Sequence, residues 1–224
     1  MENIKRRDFI KNSALVTGGV AMTASNISSV FAAGNDEIKV ALIGCGGRGT
    51  GAAADALNSG QNVKLVALAD AFKDNLDSAY NNLSKRYSAK MDIPESRKYV
   101  GFDAYKHAIK DADVVLLVAP PGFRPQHFEE AVKQGKHVFM EKSVAVDAPG
   151  VRRILAASKI AEQKKLNVVV GLQRRFQHNY REGIKRVLDG AIGDVVSGQV
   201  YWNSGGVWVR PRKPGQTEMD YQMR

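Results

Sequence analysis

Ile38-Lys-Val-Ala-Leu-Ile-Gly44-Cys-Gly46-Gly-Arg-Gly49 is an alternating apolar run that stops at three glycines spaced G-x-G-x-x-G. Ile38, Val40 and Leu42 share one side of a strand and Ala41 and Ile43 the other, which predicts a strand buried on both faces. Ala52-Ala-Ala-Asp-Ala-Leu57 strongly favours a helix that starts at the glycines. Between a strand and a helix, the first glycine makes the tight turn and the second lets the backbone approach a pyrophosphate. The third lets helix and strand pack closely. Phosphates would then rest on the free N–H groups of the helix start. On this reading Gly44, Cys45, Gly46, Gly47, Arg48 and Gly49 form a candidate nucleotide loop, with Arg48 in reach of a phosphate.

The next apolar run, Asn62-Val-Lys-Leu-Val-Ala-Leu-Ala-Asp70, ends in an acid 21 residues after Gly49. That matches the separation of about 20 residues expected for a carboxylate that binds the adenosine ribose. A carboxylate there accepts from the 2′-hydroxyl and repels a 2′-phosphate, which favours NAD over NADP. Lys73 pulls the other way, since a cation beside the ribose tolerates NADP. The alternative is an ordinary glycine turn with Asp70 capping the next helix. The succession of strand, loop, helix, strand and acid points to a dinucleotide site.

Residues 1–33 read as a signal segment rather than as fold. They begin with Lys5, Arg6, Arg7 and Lys11, carry no charge from there to Asp36, and end in small residues suited to a signal peptidase. Thr, Ser, Asn and Gly interrupt the uncharged stretch, which is too polar for a membrane span of about 20 apolar residues. No stable membrane insertion is expected after cleavage. Arg6-Arg7-Asp-Phe9-Ile-Lys11 resembles a twin-arginine export signal, which would place the protein in the periplasm. That route carries folded proteins and suits one loaded with a nucleotide before crossing.

The formal net charge of +10 is spread over the 224 residues. No basic stretch is interleaved with aromatics as a nucleic-acid groove requires, so no nucleic-acid partner is expected. The single cysteine, Cys45, excludes an intramolecular disulfide.

Further along, Phe72 to Tyr87 has the helical stripe Leu76, Ala79, Leu83 and Tyr87. A polar loop over 88–97, a short strand near Tyr99-Val100 and a helix around Tyr105-Ile109 follow. Ala112-Asp-Val-Val-Leu-Leu-Val-Ala119 is an apolar run without alternation, as expected of a central parallel strand covered on both faces. Pro120-Pro121-Gly122 turns the chain out where ligands bind in open α/β sheets. Pro125 and Gly135 bracket a helix with Phe128, Ala131 and Val132 on its buried side. Lys136 to Met140 is the next strand. Asp147 caps a helix to Lys164 with the stripe Val151, Ile154, Leu155 and Ala161. Val168-Val-Val170 is a further buried strand. The expected fold is α/β, a doubly wound parallel sheet over residues 35–172.

Gly44 to Gly49, Asp70, Pro120-Pro121 with His127, Gly135-Lys-His-Val138 with Glu141-Lys142-Ser143, and Gln173-Arg-Arg-Phe176 together resemble the Gfo/Idh/MocA family, which includes glucose-fructose oxidoreductase and inositol dehydrogenase. The resemblance runs from Ile38 to about Val200, and Ser143 stands where the family has proline. It implies a second, mostly antiparallel α+β domain that begins at 173, with Val195 to Trp202 as its first strand. The family's Asp/His pair lies beyond such a strand, and none of His107, His127, His137 or His178 matches it. Residues 173–224 are therefore expected to be an incomplete start of that domain.

The resemblance also assigns roles. Lys142 is the catalytic group, lowering the cost of removing a hydroxyl proton while hydride leaves the same carbon. Pro120, Pro121, His127, Glu141, Lys142 and Gln173 join the glycine loop and Asp70 as cofactor contacts. For Glu141-Lys142 the plain alternative is a solvated surface pair; for His127, a helix-start residue satisfied by backbone. Arg174 and Arg175 suit an anionic substrate or pairing with acids, and Trp202 and Trp208 a sugar face or sheet packing. No metal is implied. The expected function is oxidation of a sugar or cyclitol hydroxyl with NAD, or NADP, by a homo-oligomer of the complete protein. A glycosidase that oxidises its sugar transiently with held NAD is the alternative, although such enzymes are expected to depart from Glu-Lys at this site. An inactive nucleotide-binding fragment is the third reading.

Overall fold

The computed structural model describes residues 37–60, 62–205 and 210–223. The expected signal segment, residues 1–33, and Trp208 lie outside them.

Six strands are present among the described residues: β1 (Ile38–Ile43), β2 (Val63–Asp70), β3 (Lys98–Val100), β4 (Val114–Leu117), β5 (His137–Met140) and β6 (Val168–Val170). They form one sheet in the order β3-β2-β1-β4-β5-β6. Every neighbouring pair is parallel. Parallel neighbours need long crossovers, and helices supply them. These are α1 (Gly47–Ser59), α2 (Lys73–Tyr87), α3 (Ala104–Asp111), α4 (Arg124–Lys133) and α5 (Ala148–Gln163).

The alternation within β1 decides the layering. Val40 and Leu42 join Ala53 and Leu57 of α1 and Leu76, Ala79 and Leu83 of α2 in one core. Ala41 and Ile43 join α3, α4 and α5 in the other, through Ile109, Phe128, Val132, Ile154 and Ala161. The result is three layers, helices on both faces of a doubly wound sheet. Each fully buried leucine or phenylalanine contributes about 1.5–3 kcal/mol against exposure.

Helix α1 begins at Gly47, inside the glycine motif, where the helix start is expected. Other local expectations are corrected. On α5, Val151 and Leu155 are exposed, while Gly150, Ile154, Ala157 and Ala161 are buried. A Cβ on Gly150 would stand 3.2 Å from the Pro125 ring, so α5 approaches too closely there for larger side chains. Asp147 does cap α5, accepting from the Gly150 N–H at 2.7 Å. Strand β6 is at the sheet edge rather than buried, which leaves Val169 46% exposed.

The chain divides into two units, up to Leu172 and from Gln173. The second contains a 3-10 turn at Gln173–Arg175, α6 (His178–Leu188) and α7 (Glu218–Met223). Val195 to Trp202 does not form the expected strand: Val196 and Val200 are 92% and 97% exposed. A strand needs a neighbour for its N–H and C=O groups, and the described residues of this unit contain no other strand.

No helix among the described residues is long and apolar enough to cross a membrane. No metal-binding group of His, Cys, Asp and Glu occurs among them.

Candidate functional site

Strands β1 and β4 lie side by side, yet the chain proceeds from β1 toward β2 and from β4 toward β5. In such a sheet the loops part at this point and leave a crevice at the carboxyl ends of the strands. The glycine loop leaves β1 there. Gly44 has φ +97, and a Cβ on it would lie 2.3 Å from the Ala119 nitrogen at the end of β4. Gly49 abuts the same turn: its Cβ would be 1.8 Å from the Gly44 carbonyl oxygen. Gly46 and Gly47 are different, with nothing within 4 Å of an added Cβ. Turn, open approach and close packing are thus divided among the glycines. Gly46 is the N-cap of α1 and no side chain caps the helix. Its first N–H groups and positive dipole end are fit to receive phosphate.

Cys45 contributes backbone rather than side chain. Its Sγ is buried and lies 3.5 Å from the Ala69 carbonyl oxygen. Burial, with the Asp70 charge added, pushes its thiol far up, so it stays protonated. The Cys45 N–H is occupied too, donating to Asp70 Oδ2 at 2.7 Å.

Asp70 combines both roles read from the sequence. Oδ1 accepts the Phe72 N–H at 2.9 Å, at the N-cap of α2, and the Asn75 amide at 3.4 Å. Among the described residues Oδ2 accepts only the Cys45 bond, which leaves a lone pair of that carboxylate oxygen for a ribose hydroxyl. Lys73 does not stand as a free cation beside it: both Asp77 oxygens hold its ammonium, at 2.8 and 2.7 Å.

After β4, Pro120 and Pro121 form the turn closed by the Phe123 N–H on the Pro120 oxygen at 3.0 Å. His127 does not line the crevice. Its ring is buried against Tyr105, centroids 4.2 Å apart, which leaves almost no surface for a cofactor. Burial, then the Arg124 charge, lowers its pKa to about 4, so the ring is neutral at pH 7. The ring lies against both Tyr105 and Phe123.

After β5, Glu141 is buried and Lys142 exposed. The Glu141 N–H donates to the Leu117 oxygen at 3.1 Å. Arg48 reaches across from α1 and places its Nη2 2.6 Å from Glu141 Oε1. Two residues expected to touch a cofactor therefore touch each other, and Glu141-Lys142 is not a solvated pair. Gly171, after β6, leaves room for this carboxylate: a Cβ there would come within 3.1 Å of Oε1.

The second unit holds Gln173 at the start of its 3-10 turn. Within that unit Arg174 stacks on Tyr180 and Trp202, its Cζ 4.9 and 5.4 Å from their centroids. Arg175 is exposed. A groove of about 530 Å3 at the end of β3, lined by Lys98, Tyr99, Phe102 and His107, contains none of the expected site residues.

Arg124 escaped the sequence reading. It looks like an exposed first residue of a helix, and only the fold shows that it is buried.

Residues 38–172 match the family model GFO_IDH_MocA, described as an oxidoreductase family with an NAD-binding Rossmann fold. An inositol 2-dehydrogenase of Rhizobium meliloti is 28% identical over 84% of this chain and 49% of its own length. A glycosyl hydrolase family 109 protein of Solibacter usitatus is 30% identical over 91% of this chain and 47% of its own. The solved scyllo-inositol dehydrogenase of Lactobacillus casei, with bound NAD(H) and scyllo-inositol, is 31% identical with a TM-score of 0.54, covering 71% of this chain and 43% of that one. The chain spans about half the length of the curated relatives it matches.

Proposed function

The chain belongs to the Gfo/Idh/MocA oxidoreductase family and carries its NAD-binding Rossmann domain, and from that premise we propose that the complete protein oxidises a hydroxyl of a sugar or cyclitol. The observation that carries this reading is Lys142. It stands exposed two residues past β5, beside a glutamate bonded to the glycine-loop helix.

NAD, or NADP, would supply the hydride acceptor when bound. The uncapped N–H groups of α1 would hold the pyrophosphate, and Asp70 Oδ2 would accept from the adenosine ribose. Pro120 and Pro121 bound the crevice on the β4 side. Lys142 would stabilise alkoxide character on the substrate oxygen while the hydroxyl proton passes to solvent and hydride leaves the same carbon for the nicotinamide. Domain limits of 35–172 and 173–224 follow, with substrate choice resting on the second domain.

Lys142→Ala in the complete protein is the test. Polyol-dependent NADH formation should nearly vanish while calorimetric NAD binding persists; unchanged turnover removes the role.

The Solibacter relative, aligned over nearly all of this chain, favours a second reading, a glycosidase that uses NAD in a redox-neutral cycle. Release of nitrophenol from a chromogenic glycoside without net NADH would decide for it.

Export through the twin-arginine pathway and homo-oligomer formation complete the proposal. Periplasmic fractionation of the wild type and of a variant with Arg6 and Arg7 changed to Lys tests export.

A further inference from the structure

Arg124 is the first residue of α4 and only 3% exposed, yet no carboxylate is bonded to it among the described residues. Nη2 donates to the Ala119 oxygen at 2.7 Å, and Nη1 donates to the Ser143 oxygen. Nε has no hydrogen-bond partner among the described residues. Ala119 belongs to the loop after β4 and packs against Gly44. Ser143 follows Lys142 in the loop after β5. One guanidinium therefore spans the two loops that frame the crevice on the β4 and β5 side.

Simple packing does not explain such a residue. Burial destabilises the charged form, and the nearby Glu141 charge opposes that only in part. An apolar side chain of similar length would fill the same volume without desolvating a cation. What arginine adds is a rigid fork that bonds two carbonyls at a fixed spacing. The second loop has need of this, because serine leaves φ at 143 free where proline would hold it.

We infer that Arg124 is a positioning residue, which fixes the Ser143 carbonyl to the loop after β4 and so sets where the Lys142 amino group stands. The inference rests on the proposed role of Lys142 beside the cofactor.

The test uses the complete protein as wild type, R124K and R124M. Each is treated with acetic anhydride with and without saturating NAD. Peptide mass spectrometry reads the acetylation rate of Lys142, while calorimetry and thermal melting report NAD binding and folding. In the wild type NAD should slow acetylation of Lys142 by about tenfold. R124M with NAD bound should lose most of that shielding, and R124K, which reaches one carbonyl, should keep part of it. Wild-type shielding in NAD-bound R124M would overturn the inference while leaving the role of Lys142 intact. A wild type that binds NAD without shielding Lys142 would overturn that role and the inference with it. Should R124M fail to fold, R124K decides: reduced shielding supports the inference, and full shielding overturns it.

Discussion

Arg48 and Glu141, 93 residues apart, are joined through one carboxylate oxygen, which lies 2.7 Å from Nε and 2.6 Å from Nη2 of the guanidinium. The bond links the first turn of α1 to the residue before Lys142. Its two ends differ: the Glu141 side chain is 9% exposed and that of Arg48 56%. Losing the arginine strands a buried charge, whereas losing the glutamate leaves a cation that water can reach.

R48M should therefore destabilise the protein more than E141Q does. The expected cost of R48M is about 1–3 kcal/mol, discounted for the exposed arginine. Melting curves of the nucleotide-free protein should fall by roughly 2–4 °C per kcal/mol. Equal losses for the two variants would mean that the glutamate is not the stranded partner.

The glycines separate folding from binding. G49A forces a methyl against the Gly44 carbonyl and should cost about 1–3 kcal/mol of stability. G46A meets nothing within 4 Å, so its melting temperature should stay near wild type while NAD affinity, measured by calorimetry, falls. Intact NAD binding in G46A would place the pyrophosphate elsewhere.

D70N replaces an acceptor-only group with one that keeps one acceptor oxygen but presents N–H donors to either the Cys45 or the Phe72 amide. NAD affinity should fall at least about tenfold, and the preference for NAD over NADP should narrow. Calorimetric titration with both nucleotides checks this. An unchanged ratio would restrict Asp70 to tying the glycine loop to α2.

His127 gives a dependence on pH. Its folded pKa of about 4 lies below the ordinary 6.5, so between these values the unfolded chain binds the proton and the fold does not. Its contribution is complete above about pH 6.5 and is lost as pH falls toward 4, by at most about 3 kcal/mol. H127F should show a smaller fall in denaturant midpoint than wild type between pH 7 and 4.5. Parallel falls would show that the ring gains its proton inside the fold.

Much of this was legible along the chain. The alternation from Ile38 to Ile43 correctly assigns side chains to the two cores, and Asp147 and Gly135 mark helix ends. Errors arose where burial depends on a neighbour distant in sequence. Val151 and Leu155 have helical spacing like any core pair, but the buried side of the helix falls on Gly150, Ile154, Ala157 and Ala161, with Pro125 packed close against Gly150. Val168 to Val170 is as apolar as a central strand, and only its place at the edge leaves Val169 open. Val195 to Trp202 has β character without a partner strand among the described residues.

The sequence by itself determined the order of strands and helices, the parallel sheet and the glycine positions, because periodicity and turn chemistry are properties of adjacent residues. The tertiary structure alone decided that Cys45 lends its N–H to Asp70, that Arg48 meets Glu141, that His127 turns inward and that Arg124 bonds two loops. Those contacts exist only after the sheet order brings the carboxyl ends of β1, β4 and β5 together. Once buried, each polar group must take whatever partner that order provides.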